Sequence, residues 1–146
     1  MNTIARLAGA VSVLLLSAAA SAAPGLEGRW ITASGNLEVD IAPCGPAWCG
    51  TVSRVLGNRS MTPGGGAMKP VDTRPPLGMT VLHDLVPDEK APDGTPTRWA
   101  GQLYNRENGK TYPCHVTATG DSLQVRVSTD LPGFDGTQVW PRAAAR

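Results

Sequence analysis

The sequence predicts an all-β fold, a small antiparallel up-and-down barrel of about eight strands. Apolar and polar residues alternate with period two in several segments, as in half-buried strands. Glycine and proline supply 17 and 13 of the 146 residues, well above the roughly 12% of average usage, so turns are frequent. No segment carries an apolar helical stripe of useful length.

The alternation is clear where Leu37, Val39 and Ile41 share one face of a strand and Glu38 and Asp40 face the other way. Similar segments recur along the chain. The predicted strands are Gly28–Thr32, Leu37–Ile41, Cys49–Leu56, Met79–Leu85, Arg98–Tyr104, Thr111–Thr119, Leu123–Ser128 and Gly136–Trp140.

Short turn sequences join most of these strands, among them Ser34-Gly35-Asn36, Gly120-Asp121 and residues 132–136. Asn108-Gly109 is a strong hairpin dipeptide. Eight short strands fit either a sandwich or a barrel. Consecutive hairpins favour the barrel, which also removes exposed sheet edges. Its interior would hold packed side chains or one small ligand.

Two longer connectors interrupt this rhythm. Residues 57–76 contain three consecutive glycines and four prolines, and residues 86–96 are acidic and rich in proline. A loop as long as the first is either functional or mobile. It is interpreted as a lid over the barrel mouth or as a flexible excursion, and the sequence leaves both open.

Residues 1–22 have the pattern of a signal peptide. Arg6 is basic, Val11–Leu16 is an apolar core, and small residues end at Ala22. The core is shorter than the ~20 residues that span a bilayer, so a retained anchor is the weaker alternative. Cleavage would leave residues 23–146 as a single β-barrel domain. We expect a periplasmic or secreted protein with no membrane span after cleavage.

The net charge of the chain gives no indication of a strongly charged binding partner. The formal net charge is +1, which gives no electrostatic argument for nucleic acid or anionic lipid. We expect a monomer with no nucleic-acid partner.

The cysteines indicate a structural disulfide, because an exported chain meets oxidising conditions. Cys44 and Cys49 flank a Gly-Pro turn, which places two strands within disulfide reach. A redox-active pair is disfavoured, since such pairs usually have two intervening residues. Zinc needs about four ligands at compact spacing, so no metal site is predicted. Cys114 lies on an apolar face, where a free thiol is inert.

The sequence resembles the bacterial family called domain of unknown function 2147, a set of small exported proteins. The resemblance runs from about Leu26 to Arg142. It is carried by Gly28-Arg29-Trp30, the cysteine-flanked hairpin of residues 41–50, Arg74-Pro75-Pro76-Leu77-Gly78, the tyrosine-flanked turn of residues 104–112, and Val139-Trp140-Pro141-Arg142. The chain departs from the family in residues 64–72, which replace an Asp-Asn-Asn-Pro-Asp-like run.

The Gly-x-Trp opening also resembles that of lipocalins and avidins, which implies a lipocalin-like barrel. In those proteins the Trp closes the narrow end of the barrel beneath a late Arg. Trp30 is therefore the expected barrel plug, and Arg142 is its expected cation–π partner.

No catalytic constellation stands out, so we expect neither an enzyme nor a cofactor. Cys114 and His115 are adjacent on a strand and face opposite sides. Cys114 could meet His83 only if their strands were neighbours. Trp99 and Tyr104 are the candidate ligand-binding residues. Alternation puts them on opposite faces of one strand, so only one of the two can line the interior without a bulge.

Two functions fit these observations. The first is a non-enzymatic exported barrel that binds a small apolar or amphipathic ligand. The alternative is a structural or protein-interaction module of the cell envelope, with a filled interior. An open apolar cavity of roughly 300 Å³ or more would favour the first.

Overall fold

The computed structural model describes residues 25–62, 64–128 and 136–145. The strands in this part of the chain are β1 (Gly28–Ile31), β2 (Leu37–Cys44), β3 (Ala47–Val55), β4 (Thr80–Lys90), β5 (Pro96–Asn105), β6 (Lys110–Thr119), β7 (Ser122–Val127) and β8 (Gly136–Pro141). The predicted signal peptide lies outside the described residues, as does most of the connector between β7 and β8.

The eight described strands form one antiparallel sheet in the order β1-β2-β3-β4-β5-β6-β7-β8. The sheet curls into a nearly closed barrel. Its ends meet at a bridge between Trp30 and Arg142, next to a bond of 2.8 Å from the Ala143 amide to the Arg29 carbonyl. The predicted all-β, up-and-down barrel is confirmed.

The core lies inside the barrel and follows the period-two pattern of the strands. In β7, Leu123, Val125 and Val127 are buried and their neighbours face outward. Trp30, Trp99 and Trp140 join the same buried cluster. Alternation along each strand therefore selects the residues that fill the interior.

The second predicted connector is mostly strand, because β4 continues to Lys90 and β5 starts at Pro96. The ladder includes Pro87 opposite Trp99. The pairing of β3 with β4 ends at Leu85, so beyond that point β4 is an edge. Proline is tolerated on an edge strand, where its missing N–H breaks no ladder bond. The prediction that residues 86–96 form a connector was therefore wrong, because Pro87 lies on an edge strand and does not end it.

The predicted disulfide joins Cys44 and Cys49 at the tip of the β2–β3 hairpin, with their Cα atoms 5.8 Å apart. In the chain-entropy model, a loop this short gains about 2 kcal/mol from the bond. Cys114 is a buried free thiol, and burial raises its pKa to about 12. Strand β5 lies between β6 and β4, so Cys114 does not pair with His83.

Candidate ligand site at the mouth of the barrel

Trp30 and Arg142, the two residues of the predicted barrel plug, are in contact. The Trp30 ring is fully buried, and its indole Nε1 donates to the Leu26 carbonyl at 2.9 Å. The Arg142 guanidinium carbon lies 4.1 Å from the ring centroid. Arg142 also donates to the carbonyls of Glu27 and Gly120, both at 3.3 Å. The cation therefore caps the indole and ties three chain segments together.

Gly28 is required by this arrangement. Its φ is +129°, a conformation that side chains with a Cβ rarely adopt. A Cβ at this position would also come within 2.6 Å of Nη1 of Arg142. The glycine of the Gly-x-Trp opening thus makes room for the arginine that covers the tryptophan.

The described part of the first long connector, residues 57–62 and 64–76, lies over the barrel mouth and is held by specific bonds. The Asn36 side chain donates to the Arg59 carbonyl and accepts from the Arg59 amide, each at 2.7 Å. The Ser60 hydroxyl donates to Glu107 Oε1 at 2.6 Å. The amide of Val71 donates to the Glu107 carbonyl at 2.9 Å. The loop is therefore tied to the β1–β2 turn and to the β5–β6 turn.

A charged cluster on the outer surface fixes the far end of the same loop. Asp72 accepts from Arg74 Nε at 2.9 Å and from the Tyr104 hydroxyl at 2.5 Å. These bonds, first that of Arg74 and then that of Tyr104, hold the pKa of Asp72 well below its usual range. The bond to Asp72 in turn raises the pKa of Tyr104. At neutral pH this carboxylate is ionised and the cluster is intact.

Beneath the loop lies a cavity of about 110 Å³ that is partly open to solvent. Its walls are mainly apolar. The larger apolar side chains around it are Leu37, Met61, Met68, Val81, Leu103, Tyr112, Val127 and Trp140. Met61 and Met68 come from the loop and form its roof, and methionine suits such a surface because its flexible thioether adapts to different shapes.

The polar groups of the inner wall are largely satisfied by one another. The Trp140 indole donates to Gln138 Oε1 at 3.0 Å. The Asn108 amide donates to the Tyr112 hydroxyl at 2.7 Å. With these groups paired, the cavity offers an incoming molecule mostly apolar surface.

The volume limits what can enter. Pockets for drug-sized ligands occupy roughly 300–1,000 Å³, and this cavity is smaller. An apolar cavity of roughly 150 Å³ takes one benzene molecule. The mouth therefore fits a short aliphatic group or the end of a longer chain, while the interior beneath it is filled by core side chains.

The rim carries two charged residues in the β5–β6 turn, Arg106 and Glu107. Arg106 Nη1 approaches Met68 Sδ at 3.5 Å, and its Nε is buried with no hydrogen-bond partner among the described residues. Glu107 accepts from Ser60, as described above. Glu107 therefore has a strong hydrogen-bond partner for its side chain, whereas Arg106 has none among the described residues.

The structure places the two candidate ligand residues on opposite faces of β5. Trp99 is buried in the core, away from the residues that line the mouth cavity. Tyr104 lies at the cavity rim, but its hydroxyl points to Asp72. Sequence reasoning missed Arg106, Met61 and Met68. Only the length and glycine content of the first connector hinted that it could cover the mouth.

Several charged groups elsewhere on the barrel wall have partners within the protein. Glu38 is buried and accepts from the Ser53 hydroxyl at 2.8 Å, with Arg29 and Arg54 at 3.4 and 3.6 Å. His115 lies 3.2 Å from Asp88 on the outer face. Over residues 25–62, 64–128 and 136–145, no three histidine, cysteine or carboxylate side chains are grouped to hold a metal ion.

The same described ranges contain no helix with the length and apolar character needed to cross a membrane.

Comparison with known proteins gives one match. The model of a family described as an uncharacterized protein conserved in bacteria (DUF2147) matches residues 28–142. No curated protein matches the chain, and no solved structure matches it either. The matched range starts at Gly28 and ends at Arg142, the two residues that meet beneath the barrel, and it includes all eight described strands. The chain belongs to this DUF2147 family.

Proposed function

We propose that the chain is an exported, non-enzymatic barrel protein that binds a small amphipathic ligand at the barrel mouth. The observation that carries the proposal is the apolar cavity roofed by Met61 and Met68. An apolar group that enters it gains about 0.8 kcal/mol for each methylene removed from water. The open side leaves room for a polar end to stay in contact with solvent.

The bonded loop supports this proposal over a flexible excursion. Asn36 and Ser60 hold the loop across the mouth through bonds within the protein, and these bonds do not require a ligand. A preorganised site avoids the entropic cost of ordering a loop on binding. The two roof methionines can adjust to chains of slightly different shape.

Export is the second part of the proposal. It is supported by the signal-like pattern of residues 1–22 and by the disulfide between Cys44 and Cys49, a bond typical of oxidising compartments. We expect N-terminal sequencing of protein recovered from the native periplasm or medium to begin at Ala23. Recovery from the cytoplasm with Met1 intact would contradict it.

Binding is tested with a series of straight-chain alcohols, from propanol to octanol, titrated into the protein while amide chemical shifts are recorded. We expect shifts to concentrate at residues lining the cavity. Affinity should rise about fourfold per added methylene and then level off once the cavity is full. Flat affinity along the series, or shifts scattered over the surface, would contradict ligand binding.

Two exposed positions supply a matched pair of variants. Met61 is 49% exposed and lies on the roof, whereas Val139 is 53% exposed on the outer face of β8. Met61→Trp should block the cavity and weaken alcohol binding at least tenfold. Val139→Trp adds the same ring outside the cavity and should leave binding unchanged. Equal effects of the two variants would place binding elsewhere.

The alternative, a structural or protein-interaction module, is favoured by one observation. The cavity of about 110 Å³ is well below the roughly 300 Å³ of ordinary ligand pockets. If no alcohol in the series binds at the mouth, the interaction module is favoured, with the outer surface as its functional region.

A further inference from the structure

Arg106 is a charged group at the cavity without a strong acceptor. Its Nε is buried and has no hydrogen-bond partner among the described residues. The acceptor that contacts its Nη1 is the Met68 thioether, at 3.5 Å, and sulfur is a weak acceptor. Within the described part of the chain, no carboxylate lies at ion-pair distance from it.

A buried donor left without an acceptor is unfavourable, and an arriving acceptor removes that penalty. The guanidinium fork presents parallel N–H groups that match the two oxygens of a carboxylate. Arg106 and Met68 both line the cavity, so a carboxylate bound at Arg106 would have its alkyl chain beside the roof and the apolar wall.

Glu107 lines the same cavity and is the competing charge. Its Oε1 already accepts from the Ser60 hydroxyl at 2.6 Å, and Ser60 also bonds the Thr62 hydroxyl at 2.8 Å. An ammonium group bound at Glu107 would be repelled by the positive charge of Arg106. The group that lacks a hydrogen-bond partner is therefore the Arg106 donor. A single donor group of this kind favours a ligand whose anionic head group carries one charge.

We propose that the mouth cavity binds short aliphatic monocarboxylates, with the carboxylate on Arg106 and the alkyl chain among the apolar lining residues. This inference rests on the proposed ligand-binding function and names its ligand class. Arg106 is then a specificity-determining residue, because it distinguishes a carboxylate from an alcohol of the same chain length.

The test compares pentanoate with pentanol at neutral pH and low salt, using the same chemical-shift titration. In the unmodified protein, pentanoate should bind about tenfold more tightly than pentanol, as expected for a charge-assisted hydrogen-bond pair. Arg106→Gln should abolish that preference, so that pentanoate and pentanol bind this variant with affinities within about twofold of each other. Arg126→Gln, on the outer face of β7, is the matched control and should retain the preference.

Two further variants keep the result interpretable. Glu107→Gln retains an acceptor for Ser60 but removes the competing negative charge, so the preference for pentanoate over pentanol should increase severalfold. If Arg106→Gln loses its folded spectrum, Arg106→Lys keeps the charge without the fork and should show an intermediate preference.

Equal affinity for the two ligands in the unmodified protein would overturn the inference while leaving the proposed function intact. So would a preference that survives in Arg106→Gln, or in Arg106→Lys at the unmodified level. Absence of binding by both ligands would refute the proposed function and this inference together.

Discussion

Trp30→Ala is expected to lower the free energy of unfolding by about 3–5 kcal/mol. The indole is fully buried, and its removal leaves a large cavity in the core. It also removes the donor that bonds the Leu26 carbonyl. Such a loss is a large share of the ~5–15 kcal/mol that stabilises a small domain. Urea unfolding followed by circular dichroism measures it.

Arg142→Ala is the companion variant for this experiment. It removes the cation over the ring but little core volume, so it should cost on the order of 1 kcal/mol. In the Trp30→Ala background the cost should largely vanish, because contacting residues are not additive. Additive losses, or a Trp30→Ala protein as stable as the unmodified one, would argue against the plug.

Gly101→Ala is expected to cost about 3 kcal/mol, the upper end of typical overpacking penalties. A Cβ at Gly101 would lie 2.5 Å from the His83 carbonyl oxygen and 2.7 Å from Leu85 Cδ2. The first of these atoms is backbone. Relief therefore requires a shift of the β4–β5 ladder, which is already irregular between His83 and Val86.

The same urea experiment measures this effect, with Leu85→Ala as the diagnostic background. Removing the Leu85 side chain relieves one contact but leaves the carbonyl of His83 in place. The penalty of Gly101→Ala should therefore shrink only partly in that background. Full rescue, or an unfolding free energy within about 0.5 kcal/mol of the unmodified protein, would show that the strands are not held this closely.

Much of the barrel could be predicted because its signals are local. Alternation along Leu37–Ile41 and along β7 identifies the buried face without any knowledge of neighbouring strands. The disulfide was also predictable, since Cys44 and Cys49 lie in one hairpin and the turn between them is short. The pairing of Trp30 with Arg142 was expected from the resemblance of the Gly-x-Trp opening to lipocalins and avidins rather than from local pattern.

The bounds of β4 were less predictable, for a reason that lies outside the strand. Pro87 is a breaker in a central strand but is harmless at an edge. Whether it sits at an edge depends on where β3 stops pairing with β4, at Leu85. That register is a property of two strands together, and no local pattern encodes it.

The amino-acid sequence by itself determined the all-β class, the arrangement of the strands as consecutive hairpins, and the disulfide. It also determined the inward faces of the strands in which apolar and polar residues alternate clearly. Only the tertiary structure decided that Trp99 faces the core while Tyr104 holds the loop, and that Met68 and Arg106 meet at one cavity. In β5 an aromatic residue lies on each face, so alternation separates the two faces of this strand but does not say which one is inside. Residues far apart in the chain become neighbours only when the barrel closes, and the candidate site is made of such neighbours.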